Sequence, residues 1–206
     1  MEEKKIILSL FDYTGNWSRP YALNGYEVIQ QDIKLGHCIF EHTIPWLNQF
    51  RVDGMTVHGI LAACPCTEFA SSGARWWESK KNKPAHFEGK EPYLENVLEE
   101  AEMMVACTLL AVEWMQPKWW VIENPVGRIQ KIVPEIGDPL MSFQPCDFGD
   151  PYTKKTMLYG DFNTNLRKRP VDPILGSKMH KLSSNNKAGR SETPMGFAWE
   201  FFRANP

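Results

Sequence analysis

Ile6 to Phe11 (IILSLF) is a short apolar run that gives way to the turn-rich Asp12-Tyr13-Thr14-Gly15-Asn16, a pattern that predicts a buried strand followed by a loop. Trp17 to Leu23 then reads as a helix, and the Asn24-Gly25 turn leads into a second strand, Glu27 to Ile33, with Asp32 at its end. A third apolar strand, Met55 to Ala63, runs straight into Cys64-Pro65-Cys66. From Thr67 to Glu91 the chain turns polar and mixes Arg75, Trp76 and Trp77 with Lys80, Lys81 and Lys83; a stretch this long without its own core is often functional.

Pro92 then sits where a first helical residue belongs, and Leu94, Val97, Leu98, Ala101, Val105, Leu109 and Val112 recur at helical spacing with Glu95, Glu99, Glu100 and Glu102 largely on the other face. Lys118 to Ile122 predicts another strand, ending in Glu123-Asn124, with Pro125 opening a short helix. Leu140 to Cys146 and Thr156 to Tyr159 are weaker strands, and Pro194 to Phe202 is a closing helix. Strands alternating with helices predict an α/β fold, a doubly wound and mostly parallel sheet.

Composition narrows this. At 206 residues and 43% hydrophobic, the chain suits one domain spanning 1–206. A net charge of -2 means that any polyanion site is a local patch rather than a global basic surface. No run of about 18 apolar residues occurs, and Met1 to Lys5 is charged with no apolar signal core behind it, so a soluble, cytoplasmic protein without a membrane partner is expected. Five cysteines, an odd number in a chain of this size, argue for reduced thiols.

In a doubly wound sheet, ligands bind beyond the carboxyl ends of the strands, and four strand ends here carry polar or reactive groups: Asp12 to Asn16, Asp32, Cys64 to Cys66, and Glu123-Asn124. A glycine in the first loop and an acid closing the second strand would suit an adenosyl group, although Gly15 alone equally suits a plain turn and Asp32 a solvated loop acid. Cys66 is either a nucleophile or a buried structural thiol. Cys64 and Cys66 with Cys38 and His37 lack paired zinc knuckles, so no metal is expected. Cys107, Cys146, Trp119 and Trp120 read as core, while Trp76 and Trp77 either close over a base or pack on the sheet.

The run Pro65-Cys66-Thr67-Glu68-Phe69-Ala70-Ser71-Ser72-Gly73 resembles the catalytic segment of the DNA cytosine-5 methyltransferase family, Pro-Cys-Gln-x-Phe-Ser-x-x-Gly, at four of its six fixed positions. Glu123-Asn124-Pro125 resembles that family's Glu-Asn-Val, and Phe148-Gly149-Asp150-Pro151 with Lys154 and Thr156 resembles its Tyr-Gly-x-Pro-Gln-x-Arg-x-Arg. Phe11 and Gly15 match part of the opening Phe-x-Gly-x-Gly element. Order and spacing agree from residue 5 to about 160, with Arg190 to Phe202 standing for the closing helix.

The resemblance implies a Rossmann-like, class I S-adenosylmethionine-dependent methyltransferase of the small phage type. It places the cofactor on Phe11, Tyr13, Gly15, Asp32, Ile33 and Pro65. Cys66 would add to carbon 6 of a pyrimidine, Glu123 would hold the N3 and 4-amino edge with Asn124 and Pro125 fixing it, and Lys154 would stand for the arginine that contacts the base carbonyl. A donor related to S-adenosylmethionine is an alternative.

The family's large target-recognition region has no counterpart, because only a short basic insertion, 161–190, is available. Leu166 to Arg190 holds Arg167, Lys168, Arg169, Lys178, Lys181, Lys187 and Arg190 against Asp172 alone. With Arg75, Trp76 and Trp77, its residues Arg167, Lys168, Arg169 and Arg190 are the expected substrate contacts, unless the run is an ordinary solvated loop. The reading is therefore methylation of duplex or single-stranded DNA with little sequence preference, by a monomer. Free pyrimidine nucleotides as substrate, and a non-catalytic methyltransferase-like module that binds nucleic acid, are the alternatives.

Overall fold

A computed structural model of the chain describes residues 5–40, 48, 56–81, 83–84, 94–177 and 192–206. The described strands are β1 (Ile6–Leu10), β2 (Glu27–Gln31), β3 (Val57–Ala62), β4 (Trp119–Pro125), β5 (Met141–Phe143) and β6 (Thr156–Asp161), in the order β2-β1-β3-β4-β6-β5. β2, β1, β3 and β4 are mutually parallel, whereas β6 runs antiparallel to both β4 and β5. The α/β class is as expected, with a mixed sheet.

Both faces of the sheet are covered, which is why every residue of β1 and β3 is buried and all but Ser9 and His58 are nonpolar. Ile6, Leu8 and Leu10 join Ile60, Ala62 and Ile122 on one face, under α2 (Val97–Met115) through Ala101, Val105 and Ala111. Ile7, Leu61, Val121 and Leu158 face the other way, where Tyr21 of α1 (Arg19–Leu23) and Phe197 and Phe201 of α3 (Met195–Ala204) pack. Here Phe197 stacks on Phe143 at 4.0 Å between ring centroids, and Trp17 meets both Phe197 and Phe201. The parity of each strand thus assigns alternate residues to the two layers.

Several boundaries differ from the sequence reading for identifiable reasons. α2 opens at Val97, where the Asn96 side chain accepts from the amides of Leu98 and Glu99; Pro92 lies outside the described residues. β4 does not stop at Ile122 but carries Glu123, Asn124 and Pro125, because β6 pairs with all three as Glu123↔Leu158, Asn124↔Met157 and Pro125↔Thr156. The short helix expected at Pro125 begins only at Ile129. β5 is cut to Met141–Phe143 by a 3-10 turn at Pro145–Phe148, closed by a Gln144–Asp147 capping box. Trp17 lies ahead of α1, in the loop, and is buried. The polar stretch after Thr67 contains a 3-10 segment, Ser71–Trp76, and one helical turn, Trp77–Lys80.

From β1 the chain steps to β2 on one side and then crosses to β3 on the other, so the strand order reverses between β1 and β3. Such a switch point opens a crevice at the carboxyl ends of the strands. No described helix is long and apolar enough to cross a membrane.

Candidate active site

A cavity of about 610 Å³ opens at that switch point, within the size range of small-molecule sites. Its walls are Phe11 to Thr14 after β1, Gln31 to Lys34 after β2, Pro65 to Thr67 after β3, and Lys154 ahead of β6.

The first wall is shaped by an abrupt turn. Phe11 adopts φ 59 while its amide donates to Gln31 O at 2.7 Å. Asp12 is buried and its Oδ2 accepts from Ser9 Oγ (2.9 Å), Ser18 Oγ (3.0 Å) and the Ser18 amide (3.3 Å), so this acid pins the loop. Gln30 Nε2 donates to the carbonyls of Asp12 and Tyr13. Gly15, at φ 66, sits against Gln30, whose Oε1 would be 3.3 Å from a Cβ placed there. Gly15 therefore shapes the loop without bordering the cavity, whereas Phe11, Tyr13, Asp32, Ile33 and Pro65 all border it.

On the second wall, Asp32 caps a 3-10 turn, its Oδ1 accepting from the Lys34 amide at 2.9 Å. Lys34 Nζ lies 4.8 Å from the centre of the Tyr13 ring. Gln31 is buried and its Oε1 has no protein partner, an acceptor left for a ligand or water.

The third wall carries the thiol. Cys66 is partly exposed, and its carbonyl accepts from the amides of Phe69 (3.0 Å) and Ala70 (2.8 Å). Cys64, two residues earlier, is buried, lies 3.7 Å from Thr108 Oγ1, and has its pKa pushed up to about 12 by burial. Burial likewise raises Cys107. Thiols so placed are inert. Of the five free cysteines, Cys66 and the buried Cys38 border the cavity, while Cys107 and Cys146, expected in the core, are only half-buried.

Behind Cys66 lies a buried ion pair. Lys154 Nζ is 3.2 Å from Glu123 Oε1, with side-chain exposures of 8% and 5%. Burial disfavours the ammonium, but the charges of Glu123 and Cys66 outweigh it, so the Lys154 pKa lies above its ordinary value. The Lys154 amide donates to Gln144 Oε1 at 2.8 Å, fixing the backbone. Lys154 borders the cavity, whereas Glu123 and Asn124 stand behind it. Asn124 donates through Nδ2 to Cys64 O at 3.2 Å and leaves a buried, unpartnered Oδ1.

The adjacent tryptophans part company. Trp76 is 52% exposed at the cavity edge, with the Arg75 guanidinium 5.1 Å from its ring, whereas Trp77 lies under Arg128 at 4.2 Å, away from the cavity. Arg167, Lys168 and Arg169 do not border the cavity; Lys168 reaches Asp147 at 3.7 Å and Arg169 reaches Glu200 at 3.6 Å. Arg190 lies outside the described residues.

A clamp on the Cys66 loop has no counterpart among the residues expected from the sequence. Lys80 Nζ binds Glu68 Oε1 (2.9 Å) and Thr67 O (3.4 Å), Arg128 Nε donates to Glu68 O (2.8 Å), and Ala70 bridges Gly127. The available signal was the Pro125-Val126-Gly127-Arg128 turn directly after the strand that holds Glu123. Among the described residues no group of three or more His, Cys, Asp or Glu side chains is placed to hold a metal ion.

No protein-family model matches the chain, and no curated protein matches it. Among solved structures it is similar to one described as a candidate DNA modification methyltransferase encoded within an E. coli prophage, with 13% identity and a TM-score of 0.45 over 77% of this chain. The chain spans 47% of the length of that structure.

Proposed function

We propose that this chain is an S-adenosylmethionine-dependent methyltransferase that modifies carbon 5 of cytosine in DNA with little sequence preference, using Cys66 as a covalent nucleophile. The observation that carries this reading is the opening of Cys66, Lys154 and the strand-end loops Phe11–Thr14 and Gln31–Lys34 onto one cavity.

The residues fit the cofactor. Asp32 keeps Oδ1 on the Lys34 amide, leaving Oδ2 for a ribose hydroxyl, while the orphaned Gln31 Oε1 supplies a second acceptor and Phe11, Tyr13 and Ile33 offer apolar faces to an adenine. When bound, the cofactor supplies an electrophilic methyl group.

Carbon 5 of cytosine is a poor nucleophile until the Cys66 sulfur bonds to carbon 6 and turns the ring into an enamine. The Lys154 ammonium, kept charged by Glu123, stabilises negative charge on that sulfur and can donate to the base carbonyl. Where the base displaces Lys154, Glu123 in its protonated form would donate that proton to N3 as the Cys66 sulfur adds to carbon 6 and accept from the 4-amino group; until then the carboxylate holds the lysine. Once carbon 5 carries the methyl group, its proton passes to a water in the open cavity and the Cys66 sulfur leaves as thiolate, which restores the 5,6 double bond. Trp76, half-exposed at the edge, offers a face for stacking on an extruded base.

A second reading, methylation of a free pyrimidine nucleotide, draws support from Lys34, a cation among the residues that border the cavity and one that suits a phosphate. The test is incubation with labelled S-adenosylmethionine and duplex DNA, single-stranded DNA or dCMP, followed by mass spectrometry of the nucleosides. Transfer to carbon 5 that Cys66→Ala abolishes is expected; no transfer to any of the three would refute methylation, and a fully active Cys66→Ala protein would refute the nucleophile.

A further inference from the structure

The segment after β6 ends in a turn whose most apolar residues point at solvent: Val171 is 42% exposed, Leu175 52% and Ile174 78%. An exposed apolar tip is ordinarily a floppy one. Here the backbone is tied at every step. Ile174 N donates to Asp172 O (2.8 Å) and Gly176 N to Pro173 O (2.7 Å) within the turn, while Leu175 N donates to Pro151 O and Thr153 N to Gly176 O, both at 2.9 Å. Ser177 bridges Thr153. Pro170 and Pro173 remove further freedom. The turn is thus braced against the residue that immediately precedes Lys154, which forms part of the cavity wall.

The segment that leads into the tip is basic. The run that leads into it is Arg167-Lys168-Arg169, with Lys168 and Arg169 side chains 56% and 60% exposed even while they touch Asp147 and Glu200. Along the sequence from Leu166 to Arg190, seven cations stand against one acid, Asp172. A rigid aliphatic tip flanked by cations suits a polyanion with an apolar interior that can be pried open. That is stacked DNA, where aliphatic side chains enter base steps while neighbouring cations hold the phosphates.

We propose that Ile174, with Leu175 beside it, is a wedge that enters the base stack of duplex DNA and helps to extrude the base that Cys66 attacks. The inference rests on DNA being the substrate. It explains how a chain with only a short insertion can open a duplex: the tip unstacks and the cations grip, without reading sequence.

The test compares wild type, Ile174→Ser and Ile174→Phe on a duplex carrying 2-aminopurine at the target step and on single-stranded DNA. The wild type is expected to raise 2-aminopurine fluorescence in the duplex without any cofactor, Ile174→Ser to lose at least about fivefold of that rise, and Ile174→Phe to keep it. Methyl transfer by Ile174→Ser should fall about tenfold on duplex and stay within about twofold on single strands. Equal losses on both substrates, no loss on either, or Ile174-dependent binding to anionic phosphatidylserine vesicles in place of DNA would overturn the wedge. Unstacking without any methyl transfer would sustain the wedge and defeat the methyltransferase reading. Transfer to single strands or dCMP with no unstacking by the wild type would do the reverse.

Discussion

Gly127→Ala is the sharpest perturbation of the Cys66 loop. A Cβ at Gly127 would lie 1.9 Å from Phe69 O, 2.7 Å from Phe69 C and 3.0 Å from Ala70 Cα. Carbon and oxygen in non-bonded contact stay about 3.3 Å apart, so the backbone of Phe69 must retreat by roughly 1 Å or more. The hydrogen bonds Ser71 N to Val126 O and Arg128 N to Phe69 O, both 2.8 Å, resist that movement. Overpacking of this kind costs about 1–3 kcal/mol, a fall in Tm of roughly 2–4 °C per kcal/mol at this chain length. The fold survives, but the thiol does not keep its place, because Cys66 O anchors the amides of Phe69 and Ala70. A displacement of about 1 Å at a reacting group can cost on the order of 100-fold in rate. The assays are Cys66 alkylation by iodoacetamide, read by peptide mass spectrometry, and single-turnover transfer, each beside a melting curve. Phe201→Ala, on the opposite face of the sheet, controls for lost stability. Wild-type thiol reactivity and turnover in Gly127→Ala, or an equal loss in Phe201→Ala, would mean that the Gly127 contact does not hold Cys66 in place.

Three further outcomes are expected. Lys154→Met should destabilise by about 3–5 kcal/mol in urea denaturation because it leaves Glu123 buried and unpaired, and adding Glu123→Gln should recover most of that loss; additive losses would deny the coupling. The raised Cys64 pKa favours the folded state fully below about pH 9 and ever less as pH climbs toward 12, since the unfolded thiol ionises first; Cys64→Ala should flatten stability across that window, measured by urea unfolding from pH 8 to 11. Trp77→Ala should lower Tm by several degrees, whereas Trp76→Ala should leave Tm nearly unchanged and weaken substrate binding, seen in titrations of each variant with single-stranded DNA.

What could be seen in the sequence was what repeats locally. β1 and β3 are mostly apolar runs buried on both faces and announce themselves, and the spacing of Ala101, Val105 and Val112 marks α2 whatever its first residue is. What escaped depends on partners distant along the chain. β4 passes through Glu123 because β6, some 30 residues later, lies beside it, and nothing within Lys118 to Pro125 reveals that neighbour. The same distance hid the burial of Glu123: expected at an open rim, it sits behind Lys154. Trp76 and Trp77 are adjacent in sequence, yet only the position of Arg128, which no local pattern gives, tells stacking surface from packing. Gly15 matched the glycine of a cofactor loop by position, but its side-chain space is taken by Gln30.

The antiparallel pairing of β4 with β6 has a consequence for how this site can change. Glu123 belongs to one strand and Lys154 to the approach of the other, so their meeting is written in the ladder Glu123↔Leu158 to Pro125↔Thr156 rather than in either loop. Side chains alternate along a strand, so a one-residue insertion between Lys154 and Leu158 would turn the lysine out of the cavity or drag β6 out of step with the sheet. The turn after Pro170 leans on Pro151 and Thr153 rather than on the ladder, so its exposed tip, Ile174 and Leu175, can exchange side chains without shifting that pairing. The exposed tip is thereby free to drift, while the Glu123–Lys154 pair is locked to the frame.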